Sequence, residues 1–133
     1  MSQENVESMR QVVDAFNRRD KAVWLATVDP GAEMFPASGW PENAPIHGAE
    51  AIWDFTVETI GAWEEGSSEL GEIIESGPDT VVANIWRETR GKTSGAVVAF
   101  SYWLVATFRD GKTIRAEWCA DRAKALEAAG LRE

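Results

Sequence analysis

Ala96-Val-Val-Ala-Phe-Ser-Tyr-Trp-Leu-Val-Ala-Thr-Phe108 is an almost unbroken apolar stretch, interrupted by Ser101, Thr107 and the Tyr102 phenol alone. It is too short for a membrane-spanning helix, which needs about 20 apolar residues. Its β-branched and aromatic residues favour a strand over a helix. A strand apolar on both pleat faces needs a cover on each. The protein's own helices supply one cover; the occupant of the other side is open at this point.

Asp110-Gly111 follows directly and is a strong signal for a two-residue hairpin loop. Counting back from it sets Arg109 opposite Lys112, Phe108 opposite Thr113 and Trp103 opposite Trp118. Opposed residues point to the same side of a sheet. One face then holds Ser101, Trp103, Val105 and Thr107 with Ile114, Ala116, Trp118 and Ala120, and belongs under the helices. The other holds Phe100, Tyr102, Leu104, Ala106 and Phe108 with Thr113, Arg115, Glu117 and Cys119. Large apolar groups rimmed by charge mark a subunit interface, so a homodimer through Phe100, Tyr102 and Leu104 is expected. A one-residue slip would reverse the two faces.

Upstream, Ser2 caps a first helix in which Val6, Met9, Val13 and Phe16 recur at helical spacing. Asp20 caps a short second helix with Trp24, Leu25 and Val28, stopped by Asp29-Pro30-Gly31. Glu33-Met34-Phe35 reads as a short strand, leading into a proline-rich loop from Pro36 to Pro45. Gly48–Trp63 is a helix with a wide apolar side (Ile52, Trp53, Phe55, Thr56, Val57, Ile60, Trp63) and Glu50, Asp54 and Glu58 opposite. Strands follow at Glu69–Ser76, Thr80–Arg90, Ala96–Phe108 and Lys112–Ala120. Asp121 then caps a last helix that ends before Gly130. Helices followed by an antiparallel meander indicate an α+β fold. The absence of repeats, low-complexity tracts and linkers predicts one domain over residues 1–133.

The chain has 133 residues, 44% apolar and 26% charged, with a net charge of −9. That balance suits a soluble globular protein and opposes nucleic-acid binding, which needs clustered Lys and Arg. One His and one Cys argue against a His/Cys metal site and exclude an internal disulfide. No metal and no cofactor are expected. The start, Met-Ser-Gln-Glu-Asn, lacks the features of a signal peptide, so a cytoplasmic location is expected. Seven tryptophans are the anomaly of composition.

Several segments together resemble a known family. They are Glu4–Asn17 with Ala15-Phe16-Asn17 and then Asp20, the strand ending in Pro36, and Ile46-His47-Gly48-Ala49-Glu50-Ala51-Ile52. Phe108-Arg109-Asp110-Gly111-Lys112 and Asp121-Arg122-Ala123-Lys124-Ala125-Leu126-Glu127 complete them. In order and spacing they resemble the SnoaL-like branch of the nuclear transport factor 2-like superfamily. The resemblance implies a cone-shaped curved antiparallel sheet wrapped around a long helix with N-terminal helices. Such a cone opens at one end to a hydrophobic pocket and is usually dimeric through the sheet. Relatives include polyketide cyclases, ketosteroid isomerases and limonene epoxide hydrolases. Their acid–base residues have no counterpart here. The isomerase base position is Phe35, its tyrosine donor falls near Val12 and its protonated aspartic acid near Trp103. The last-strand acid of cyclases and epoxide hydrolases is Trp118. Phe and Trp cannot take a proton from carbon.

Trp103 and Trp118 either stack in a solid core or wall a pocket, with Phe35, Trp40 and Phe55 as neighbours. Glu33 alternates with Phe35 and is a candidate base if it points inward, or a structurally bonded carboxylate if it does not. Arg87 either pairs with Glu33 or a ligand's acid group, or lies in solvent. His47, the sole histidine, stands before the long helix as a candidate base or a polar residue at the helix entrance. Asp121 matches the family's terminal Asp but reads first as a helix cap. Cys119 reads as a small apolar filler. Two functions remain: binding of a small hydrophobic or aromatic molecule without catalysis, or an isomerase, cyclase or hydrolase acting on a cyclic or polyketide-like substrate with a different acid–base set. A structural dimer with a filled cone is a weaker third.

Overall fold

In the computed structural model the structure describes residues 2–40, 44–60, 63–65, 68–91 and 95–131. Four helices, α1 (Ser2–Asn17), α2 (Lys21–Thr27), α3 (Ala49–Ile60) and α4 (Arg122–Ala128), accompany seven strands. The strands are β1 (Val28–Phe35), β2 (Ile46–His47), β3 (Trp63–Glu65), β4 (Ser68–Ser76), β5 (Thr80–Gly91), β6 (Val97–Arg109) and β7 (Lys112–Cys119). They form one curved sheet in the order β2-β1-β7-β6-β5-β3, with β4 also paired to β5. Every pairing is antiparallel except β1 with β7, which is parallel. The α+β architecture is the expected one, with nuclear transport factor 2-like topology. Helix α3 is shorter than its apolar pattern predicts: it ends at Ile60, and Trp63 begins β3 instead. None of the described helices is long and apolar enough to cross a membrane.

Chain chemistry accounts for the boundaries. The Asp20 side chain accepts from the Val23 N–H at 3.2 Å and opens α2. Gly48, at φ +95°, accepts from Ile52 and turns the chain from β2 into α3. Pro30 and Gly31 do not leave a loop: β1 begins at Val28, and its register against β7 shifts between Val28 and Glu33. An irregularity of this kind is how a strand accommodates a proline. The Asp110-Gly111 turn has φ of +54° and +75°, as a two-residue hairpin loop requires.

The register beyond that turn departs from the simple count. Arg109 pairs with Lys112 and Phe108 with Thr113, but Thr107 pairs with Arg115. Ile114 is an extra residue, a β-bulge in β7. From there outward Ala106 faces Ala116, Leu104 faces Trp118 and Trp103 faces Cys119. The expected Trp103–Trp118 pair does not form, because one extra residue moves every later β7 side chain to the other face relative to β6.

Relative to the expectation the two faces of β6 are exchanged, while Ala116 and Trp118 of β7 keep the inner side expected for them. Leu104, Ala106 and Phe108 are buried on the concave side with Met9 of α1. Val105 and Cys119 are buried on the convex side, where Ala125 of α4 covers them and Trp103 packs against the group. The expectation that Phe100, Tyr102 and Leu104 present an outer subunit face is thereby corrected: they lie on the concave face, and Leu104 is only 7% exposed. The convex side's own cover is α4. It is held by Asp121, which accepts from the Lys124 N–H at 2.8 Å, and by Arg122, which donates twice to Glu72 at 3.0 and 3.1 Å.

Polar side chains of α1 pin that helix over the concave face. Asn5 donates to the Pro78 carbonyl at 2.9 Å, and Ser8 donates to the Gly111 carbonyl at 2.8 Å. Asn17 bonds both the N–H and the carbonyl of Ser68 at 2.8 Å each, as a strand neighbour would. One face of α1 is thus fixed to two turns and to the start of β4.

Candidate functional site

Between α1 and the concave face lies a cavity of about 100 Å³. Met9, Val12, Val13 and Phe16 of α1 form one wall; Ile85, Leu104, Ala106, Ala116 and Trp118 of the sheet form the opposite one. Trp24, Val28, Met34, Ile52 and Thr56 close a side. The helical stripe of α1 and the bulged pairing of β6 with β7 together aim these side chains at one volume. The surface is almost wholly apolar, with Ser68, Thr113 and Thr56 as hydroxyl contributors. The Thr56 hydroxyl already donates to the Ile52 carbonyl at 2.7 Å. Beside the cavity, Trp53 packs edge-on to Phe16, with ring centres 6.0 Å apart, and Trp24 lies 5.3 Å from Trp53. Such pairs add about 0.5–1.5 kcal/mol each beyond the area they bury.

Of the sequence-predicted pocket residues, Trp118 lines the cavity directly. Trp40 sits against it, ring centres 5.8 Å apart, and meets Tyr102 edge-on at 5.1 Å. Phe55 packs half-buried on the core beside α2 and β1 rather than facing the cavity. Phe35 stands on the convex side, where the Arg115 guanidinium lies 4.4 Å from its ring centre. Trp103 is also on the convex side, because it alternates along β6 with the inward Leu104.

Arg87 lies on the concave face of β5, 5% exposed, and donates to the Ser68 hydroxyl at 3.1 Å. Burial first, and then the like charge of Arg19, push its guanidinium pKa below the ordinary value. Arg87 does not reach Glu33, whose carboxylate instead meets His47 Nδ1 at 2.9 Å. Strand alternation explains why: Met34 is the inward residue of β1, so Glu33 and Phe35 point the other way. Glu33 borders the cavity, yet its side chain is 43% exposed and that of His47 is 70% exposed. Asp121 is spent on capping α4. None of the three candidate bases therefore projects a carboxylate or imidazole into the apolar volume.

Sequence reasoning missed the α1 wall as a cavity surface, although the Met9–Val13–Phe16 spacing marked its buried stripe. It also missed Leu104 and Ile85. A polarity test would have found the bulge. With Ile114 skipped, Ser101 and Thr107 share a face with Arg115 and Glu117, while the concave face becomes apolar from Leu104 to Phe108.

Comparison with solved structures finds this fold repeatedly. A provisionally assigned SnoaL-like polyketide cyclase from Jannaschia sp. CCS1 is 21% identical, with 96% of this chain and 92% of that one covered and a TM-score of 0.78. TerC co-crystallised with polyporic acid is 24% identical over 96% and 98% of the two chains, with a TM-score of 0.75. A Mycobacterium tuberculosis protein in complex with estradiol-17β-hemisuccinate is 16% identical over 86% and 92%, with a TM-score of 0.73. At these identities the likeness establishes the fold alone. No curated protein sequence matches the chain. The sequence pattern of the SnoaL-like domain matches residues 9–116, and the chain belongs to that family.

Proposed function

We propose that the protein binds a small, predominantly apolar, ring-bearing molecule in the cavity between α1 and the concave face of the sheet. The observation that carries this reading is the wall itself, with Met9, Phe16, Leu104, Ala106 and Trp118 around about 100 Å³. Apolar, preformed concavities with few polar groups are the usual form of a small-molecule site. The volume is below the roughly 300–1,000 Å³ of pockets for drug-sized ligands, so a single ring is the natural occupant of the closed state. The complexes of TerC with polyporic acid and of the mycobacterial protein with an estradiol ester support ring-bearing ligands as a class. Trp24 and Trp118 report on the site: toluene or phenol should change the intrinsic fluorescence and release heat in titration calorimetry. Unchanged fluorescence together with no heat for either probe rejects the reading.

The Glu33–His47 contact at 2.9 Å favours a second reading, an isomerase, cyclase or hydrolase working from the cavity edge. A carboxylate holding an imidazole is a competent acid–base pair. Glu33→Gln would then abolish turnover of a bound cyclic substrate while leaving its affinity within about twofold; equal turnover by both proteins rejects it. A cytoplasmic homodimer remains our working expectation. Its interface would use the convex side, where Trp86 is 39% exposed, rather than Phe100, Tyr102 and Leu104. Unchanged gel-filtration volume for Trp86→Glu rejects that face.

A further inference from the structure

We propose that Trp40 is a ring-sized plug whose place is taken by the second ring of an elongated planar aromatic ligand, so that Trp40 sets the length of ligand the site accepts; this rests on the ring-binding reading above. The concave face is built in layers. Residues of one face recur every second position, roughly 6.6 Å apart along a strand. Phe108 with Thr113 forms the first layer, Ala106 with Ala116 the second and Leu104 with Trp118 the third. All of these except Phe108 line the cavity. The next layer is Ile85 with Tyr102, and there Ile85 still lines the cavity while Tyr102 is covered by Trp40. The apolar trough thus continues one layer past the open volume, and an indole fills that layer.

The indole occupies it as an aromatic ligand would. It stands at 89° to Tyr102, with ring centres 5.1 Å apart, and at 39° to Trp118, with ring centres 5.8 Å apart. Both separations fall in the range that aromatic pairs favour. Trp40 comes from a turn rather than from a helix or strand. Its backbone N–H donates to the Ala37 carbonyl at 3.1 Å, next to Gly39 at φ +92°, and among the described residues other than its chain neighbours none lies within 4 Å of the space that a methyl on Gly39 would take. Moving the indole outward breaks no sheet or helix hydrogen bond. A one-ring ligand fits with Trp40 in place; a two- or three-ring ligand requires it to leave.

The test compares wild type, Trp40→Ala and Trp40→Phe against two probes, toluene and 2-hydroxyanthraquinone, by titration calorimetry. A site whose competent state is disfavoured binds more weakly by that fraction, and removing the occupant lifts the penalty. Trp40→Ala should bind the tricyclic probe about tenfold more tightly than wild type and toluene within about twofold, with Trp40→Phe between them. Tricyclic affinity that is unchanged or weaker in Trp40→Ala overturns the proposal, because Trp40 is then a wall or a filler. If toluene still binds in that case, the ring-binding function stands without the plug. If neither probe binds any of the three proteins, both readings fail. Trp40→Phe keeps a ring in the layer, so its ordering against wild type decides the matter even if Trp40→Ala folds poorly.

Discussion

Leu104→Ala discriminates between the bulged and unbulged pairings of β6 with β7. In the bulged sheet Leu104 is 7% exposed, faces Trp118 and forms part of the cavity wall. Truncation removes nearly all of a buried leucine's transfer free energy, about 2 kcal/mol, and leaves space behind it. Buried Leu→Ala changes cost about 2–5 kcal/mol. The lower half of that range applies here, since one side of Leu104 already faces open volume and packs against fewer atoms. With a urea dependence of about 1–3 kcal/mol per molar, a loss of about 2–3 kcal/mol moves the unfolding midpoint down by roughly 0.7–3 M. Had Leu104 lain on a free outer face, the change would stay within about 0.5 kcal/mol. Urea unfolding followed by far-UV circular dichroism reads the difference. A midpoint that moves by less than a few tenths molar refutes the register and the cavity wall with it.

Three further outcomes follow from the same geometry. Trp118→Ala should weaken toluene binding about tenfold or more, whereas Trp103→Ala should leave it within about twofold while lowering stability; equal losses in calorimetry would contradict the separation of the two faces. Asn17→Ala removes both bonds to the Ser68 backbone and should cost about 1–3 kcal/mol in urea unfolding; no loss would mean that water replaces the amide. The Cys119 thiol is buried, and burial, followed by the negative charges of Glu117 and Asp121, raises its pKa above the ordinary 9.0. A raised acid pKa means that the native state holds the proton more tightly than the unfolded one, so stability should fall as pH rises past 9.0, and Cys119→Ala should flatten that limb. An unchanged pH dependence in Cys119→Ala would refute it.

The fold was legible because its punctuation is chemical. Asp20, Gly48, Asp110-Gly111 and Asp121 each mark a boundary that the backbone then adopts. The site was legible only in part, because a single residue without such a marker decides it. Ile114 is neither Gly nor Pro, and nothing local announces that it is the extra one; the signal lies instead in how polarity segregates across two strands. Skipping it groups Arg115, Glu117, Ser101 and Thr107 on the convex side and brings Leu104 and Ala106 to the cavity beside Trp118. The inward direction expected for Glu33 failed for a related reason. Alternation set from an inward Phe35 turns Glu33 inward as well, whereas the buried residue of β1 is Met34, between them. The short strands β2 and β3 carried too few residues to show a period at all.

Among the described residues no acid side chain points into the inner wall, and this limits what the wall can do energetically. Binding there must come from apolar burial and dispersion, which scale with the ligand surface enclosed. A ligand of about seven heavy atoms, bounded by roughly −0.3 to −1.5 kcal/mol per atom, cannot exceed about −10 kcal/mol and falls more naturally in the millimolar to micromolar range. Greater affinity requires more enclosed surface, and the apolar trough continues past Trp118 toward Tyr102. A second ring gains that surface only by displacing Trp40. The two aromatic pairs that Trp40 gives up are worth about 0.5–1.5 kcal/mol each, and the incoming ring forms pairs of the same kind in their place. What remains is the cost of opening, and a cost of about 1.4 kcal/mol is the tenfold difference expected between wild type and Trp40→Ala. The plug thus converts a chemically featureless cavity into one that discriminates by length.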